Sequence, residues 1–139
     1  MKGSAPILHV EDDPIDVVNL ERAFSRGGIT HPIRRASNGE EALALLRGAG
    51  GDPGLRPGLI LLDLSMPLMG GLELLRELKL DSRLRRIPVV ILTASRHESD
   101  LQHAYELGAA GYVVKPLDFD EFVRAIGTVE RYWVLCESS

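Results

Sequence analysis

The chain has 139 residues, of which 45% are hydrophobic and 26% charged, with a formal net charge of −4. That length suits one domain with a proper core, and an acidic balance argues against the non-specific nucleic-acid binding that excess Lys and Arg would bring. The single Cys136 allows no internal disulfide and no cysteine-built zinc site; with no signal-peptide pattern and no apolar run near the roughly 20 residues of a membrane span, a cytoplasmic protein without membrane contact is expected.

In chain order, the apolar Ile7–Val10 predicts a first strand, followed at once by Glu11-Asp12-Asp13. Asp13 before Pro14 is the favoured pairing of an N-cap and a first helical residue. Asp13 therefore reads as a cap, and a helix is predicted over Pro14–Ser25. "PIRRA" at Pro32–Ala36 is a polar strand opened by proline, as suits a sheet edge. A helix over Glu40–Arg47 comes next, then "GAGGDPGLRPG" at 48–58, a flexible surface loop. Leu59–Leu62 is apolar throughout, the mark of a strand buried on both faces, and it ends in Asp63. A helix over Gly71–Leu80, a strand over Val89–Thr93 and a helix over His97–Leu107 follow. A strand over Gly111–Val114, ending in Lys115, and a helix over about Phe119–Leu135 complete the chain. Such alternation predicts an α/β fold, a doubly wound parallel sheet of five strands with helices on both faces.

Parallel strands bring their carboxyl ends to one edge, where open α/β folds keep their ligands. Glu11, Asp12 and Asp63 meet there with Thr93 and Lys115. Three converging carboxylates repel one another, and one divalent cation together with Lys115 offsets them in formal charge. An all-oxygen site with few protein ligands suits Mg²⁺. No loop has EF-hand spacing, and His9, His31, His97 and His103 form no ligand pattern beside these acids. A carboxylate, magnesium, an ammonium and a hydroxyl together describe phosphoryl transfer. Asp63 is then the nucleophile, Mg²⁺ and Lys115 hold the phosphoryl oxygens, and Thr93 donates a hydrogen bond. Ala94 is small enough to leave the approach open. Taken singly, Asp63 reads as a loop solubiliser, Thr93 as a β-branched strand residue and Lys115 as a surface charge. Their convergence on one edge separates the two readings. Arg83, Arg85 and Arg86 read as a solvated face.

These residues resemble the receiver domain of two-component response regulators over about Ile7 to Ala125. "ILHVEDD" resembles the family's first strand and acidic pair, "LILLDLSMPLMGG" its phosphoacceptor segment, "VVILTAS" its threonine-bearing strand and "AAGYVVKP" the segment ending in lysine and proline. The resemblance implies a flavodoxin-like receiver fold with strand order 2-1-3-4-5 and Asp63 as phosphoacceptor for a histidine kinase. It implies Glu11 and Asp12 as the acidic pair, with the Ser65 carbonyl as a further magnesium ligand. Lys115 becomes the phosphate-contacting lysine, and Thr93 with Tyr112 a switch pair that reorients on phosphorylation. It also implies a cis Lys115–Pro116 bond, against about 5–6% of X–Pro bonds in general. Gly70 departs from the family by standing where an aspartate is common. The long 48–58 loop, "RIPVVILTAS" and the aromatic "YW" pair are similar to the small regulators paired with phytochrome histidine kinases.

Residues 1–139 are expected to form one receiver domain with a C-terminal helix and tail over about 119–139 and no output domain. A phosphate sink or phosphorelay intermediate is the alternative role. A haloacid-dehalogenase-like phosphatase needs a second aspartate two residues after the nucleophile, and Ser65 stands there. A nucleotide or flavin binder needs a glycine- or hydroxyl-rich loop where "EDDP" stands. Phe119, Phe122, Ile126, Val129, Trp133 and Cys136 form one helical stripe against the sheet. Val123, Tyr132, Val134 and Leu135 fall off it, predicting a homodimer through the last helix, with an exposed aromatic pair at its end.

Overall fold

The central strands of the chain are too apolar to face water on either side, so helices have to cover both faces of the sheet. The computed structural model describes residues 5–66 and 69–138, with side chains as far as 133. Its elements are β1 (Ile7–Val10), α1 (Pro14–Arg26), β2 (Ile33–Ala36), α2 (Gly39–Arg47), β3 (Leu59–Leu62), α3 (Gly71–Leu80), β4 (Val89–Thr93), α4 (Glu98–Glu106), β5 (Gly111–Val114) and α5 (Phe119–Ser138). The strands run parallel in the order β2-β1-β3-β4-β5. This is the flavodoxin-like receiver topology expected above.

The period of two along each strand sorts side chains between two cores. Leu8, Val10, Ile60, Leu62, Val89 and Ile91 point to α2, α3 and α4, where Leu46, Leu74, Leu75, Leu78 and Ala104 meet them. Ile7, Leu59, Leu61, Val90 and Leu92 point to the other face, onto Leu20 and Phe24 of α1 and Phe122 and Ile126 of α5. All four residues of β3 are buried, as its composition predicts. β2 lies at the sheet edge and exposes Arg34 and Arg35.

Element ends follow local chemistry. The Asp13 carboxylate accepts from the Ile15 amide at 2.9 Å and caps α1. Asn38 caps α2 through the Glu41 amide at 2.8 Å, so that helix starts at Gly39 rather than Glu40. α4 is one residue shorter at each end than predicted, because His97 and Leu107 serve as its caps. β2 starts at Ile33; Pro32 offers only its carbonyl, which accepts from the Ile7 amide at 2.8 Å. α5 runs three residues further than predicted.

Two expectations need correction. The 48–58 loop is tied to α2: the Leu55 amide donates to Leu45 O at 2.8 Å, and Arg56 Nη1 donates to Leu46 O at 2.8 Å. Its glycines bend the chain, but its far end is anchored. Nor is there an exposed aromatic pair. Trp133 is 3% exposed and stacks on His31 with ring centroids 4.5 Å apart, whereas Tyr132 lies outside at 61%. A Cβ on Gly58 would sit 2.3 Å from Trp133 Cζ2, so only glycine lets the indole lie against the start of β3. The side chains of Val134, Leu135 and Cys136 lie outside the described residues.

Candidate functional site

The register of the sheet places Val10 beside Leu62 and Thr93 beside Val114, so Glu11, Asp63, Ala94 and Lys115 begin their loops at one edge. Glu11, Asp12 and Asp63 each offer a carboxylate oxygen there, and these oxygens lie within 4.8 Å of one another. Glu11 and Asp63 are buried, at 1% and 6% exposure, and Asp12 is more open. Backbone bonds set the cluster: the Asp63 amide donates to Val10 O at 3.1 Å and the Glu11 amide to Ala36 O at 2.9 Å. Gly71 lets α3 start against the end of β3, since a Cβ there would meet Asp63 O at 2.3 Å. The Ser65 carbonyl lies on the loop that leaves Asp63.

Lys115 Nζ donates to Glu11 Oε1 at 2.8 Å and to Asp16 Oδ2 at 2.9 Å. Its backbone amide is held to Thr93 O at 2.7 Å. The ammonium thus reaches the cluster through Glu11, while Asp63 acts on it by charge. The Lys115–Pro116 bond is trans, contrary to the expectation from the family. Trans is the lower-energy isomer of an X–Pro bond by about 0.5–1 kcal/mol.

Asp16 is a residue that the sequence reading missed. It was hidden as an ordinary acid in the first turn of a helix, where Asp is favoured anyway. It adds a fourth carboxylate to the expected charge balance. Arg35 was also missed; its Nε and Nη2 donate to the backbone carbonyls of Glu11 and Asp12 at 3.2 Å each. Arg35 sits opposite His9 in the register of β1 and β2, which aims the guanidinium at the loop of the acidic pair. The only sequence signal for it was an arginine in an edge strand.

His9 lies beside the acids but outside the group of ligand atoms that converge there. Its Nε2 is 4.0 Å from Glu11 Oε1, and the ring is buried with Nδ1 unpartnered among the described residues. Burial, reinforced by the charges of Lys115 and Arg35, pushes its pKa down to about 3, so it is neutral. Glu11 moves the other way. Burial pushes it up to about 7, against the pull of Lys115 and with the charge of Asp63 adding to the rise. Lys115 is shifted upward: burial alone would lower it, but the bonds to Glu11 and Asp16 outweigh that.

These shifts oppose each other in the metal-free protein. Folded Glu11 keeps its proton up to about pH 7 whereas the unfolded side chain loses it near 4.5, so its share of stability falls as pH rises between those values. His9 releases its proton at about 3 when folded and 6.5 when unfolded, so its share is lost as pH falls through that window. Urea unfolding of Glu11→Gln with chelator present is therefore expected to gain stability from pH 4.5 to 6.5 more steeply than the wild type. An unchanged slope would mean that Glu11 is ionised throughout.

Thr93 is buried, and its Oγ1 accepts from the Ser95 amide at 3.3 Å. Tyr112 Oη donates to Ser95 O at 3.3 Å. Thr93 and Tyr112, the expected switch pair, therefore both meet the loop after β4, and Ala94 at its start is exposed.

The donor set fits a hard cation. Its atoms are carboxylate oxygens, and they converge within one ion's reach. Among the described residues, no helix is long and apolar enough to cross a membrane.

The response regulator receiver domain family matches residues 7–127 of the chain. The probable methanogenesis regulatory protein FilR2 of Methanothrix harundinacea is 39% identical over 128 residues, covering 92% of this chain and 83% of that protein. The phosphorylated cyanobacterial phytochrome response regulator RcpA superposes with a TM-score of 0.86 at 35% identity, covering 94% of both chains. The Mn²⁺-bound form of response regulator Rcp1, a protein of Synechocystis, superposes with a TM-score of 0.83 at 35% identity, covering 93% of this chain and 94% of that one.

Proposed function

Because the chain belongs to the response regulator receiver domain family, we propose that Asp63 is its phosphoacceptor and that a histidine kinase, of the phytochrome class, is its donor. The observation that carries the reading is the buried Asp63 at the end of β3, within 4.8 Å of Glu11 and Asp12, with Glu11 in turn bonded to the Lys115 ammonium. In the transfer, an Asp63 oxygen attacks the phosphorus of the kinase phosphohistidine. The P–N bond breaks, the imidazole leaves, and an acyl phosphate forms on Asp63. Lys115 brings positive charge to the transferring oxygens and Thr93 Oγ1 supplies a hydroxyl donor, which is how such reactions gain most of their rate. Glu11, Asp12, Asp63 and the Ser65 carbonyl would hold Mg²⁺, which supplies charge neutralisation at the phosphoryl group. The Mn²⁺-bound Rcp1 supports a divalent site in this fold.

The same site would let the domain assist its own dephosphorylation, so the chain signals rather than turning over a substrate. Thr93 and Tyr112 are the switch: a phosphoryl acceptor near Thr93 would draw its hydroxyl inward and free Tyr112 from Ser95 O. The reading extends to one receiver domain over 1–139, in the cytoplasm, acting without nucleic acid or membrane, as a homodimer through α5. Burial of Trp133 leaves that interface to Tyr132 and the turns after it.

The deciding measurement is phosphotransfer from a panel of labelled histidine kinases, phytochromes among them. Fast transfer from a phytochrome kinase is expected, and slow transfer from every member would remove the kinase assignment.

The acidic run offers a sharper check. Asp12→Ala is expected to lose magnesium affinity, read from a metal titration. Asp13→Ala keeps that affinity and loses about 0.5–2 kcal/mol of stability, because Asp13 caps α1. Equal loss of affinity in both would mean that the acidic pair is misassigned.

A further inference from the structure

Lys115 carries three ammonium hydrogens, and two are committed, to Glu11 at 2.8 Å and to Asp16 at 2.9 Å. These acceptors are not equivalent. Glu11 belongs to the converging carboxylate cluster, whereas Asp16 stands outside it on the first turn of α1. Asp13 caps that turn and fixes where Asp16 stands. Asp16 and Lys115 also share the wall of a cavity of about 260 Å³ with Asn19, Arg22, Pro116 and Phe119. The ammonium is thus held at the α1 side of the cleft, with no hydrogen bond to Asp63 among the described contacts.

We propose that Asp16 is a positioning residue that holds Lys115 in the unphosphorylated protein and competes with the phosphoryl group of Asp63 for its ammonium. This rests on the phosphoacceptor reading above. A bond made in the resting state and surrendered on phosphorylation favours the resting state, and so raises both the barrier and the free energy of the modified state. Asp16 then sets how readily the domain is switched on, without touching the reacting atoms.

The test is Asp16→Asn, with Asp16→Ser as a second variant and Asp16→Glu as the rescue. Labelling by acetyl phosphate at fixed magnesium is expected to run about two- to fivefold faster in Asn and Ser, the range of a partly exposed ion pair. Affinity for beryllofluoride, which occupies the phosphoryl position, is expected to tighten by the same factor. Asp16→Glu restores a carboxylate and is expected to return both values toward the wild type. Damage to the fold would lower rate and affinity together, so a gain in both separates positioning from mere structure. Rates and affinities in Asn and Ser equal to or below the wild type would overturn the proposal. A wild type that takes no label at all would instead overturn the phosphoacceptor reading, so the two failures are distinct.

Discussion

Asp63→Asn is expected to take no phosphoryl group from acetyl phosphate or from any kinase, with its label at background while the fold is kept. Asparagine has nearly the shape of aspartate but no carboxylate to form the acyl phosphate. The site leaves little room for a substitute: Glu11 is buried and bonded to Lys115, and Asp12 lies on the more open side of the cluster. The substitution also removes one of the charges that pushes Glu11 up to about 7, so the urea midpoint in chelator is expected to stay level or rise. Intact-mass analysis after acetyl phosphate treatment reads the first result and urea unfolding the second. A stable phosphoprotein in Asp63→Asn would sink the assignment of the nucleophile, whatever the kinase.

The second large effect is structural. Trp133→Ala is expected to cost about 3–5 kcal/mol, the usual range for emptying a buried aromatic site. The indole is 3% exposed, lies over Gly58 and stacks on His31, and so ties the second half of α5 to the start of β3. Trp133→Phe is expected to cost clearly less, because the indole Nε1 is buried without a partner among the described residues and its loss removes that penalty. Urea unfolding followed by circular dichroism reads both. A cost below about 1 kcal/mol for the alanine variant would mean that these turns of α5 do not belong to the fold. The same packing governs the assembly test. A chain truncated after Trp133 keeps the indole in the core, and its sedimentation against the full chain separates loss of dimer from loss of core. A full chain that stays monomeric at high micromolar concentration would end the dimer proposal.

The site was legible in outline because phosphoryl chemistry needs particular side chains at strand ends. Asp63 closes the most apolar strand, and Thr93 and Lys115 close the next two in the sheet. The division of labour within "EDD" was legible too, since Asp-Pro is a local capping signal and needs no tertiary partner. Arg35 and Asp16 were not legible. Each sits in an element whose own pattern explains it, an edge strand and a helix start, and each acts on a group far away in the chain. His9 was read as a strand residue with no role at the edge, and its approach to Glu11 follows from their two-residue spacing across the end of β1.

Strand and helix order, the parallel sheet, the central burial of β3 and the identity of the converging acids come from the sequence itself. They depend on periodicity and on side-chain chemistry, which are local. Only the tertiary structure decided that Lys115 is held by Glu11 and Asp16, that Trp133 packs against Gly58 and His31, and that the 48–58 loop is anchored to α2. An ammonium at the end of a flexible side chain goes to whichever carboxylates the packed elements present, and the Trp133 indole lies where Gly58, just before β3, makes room for it.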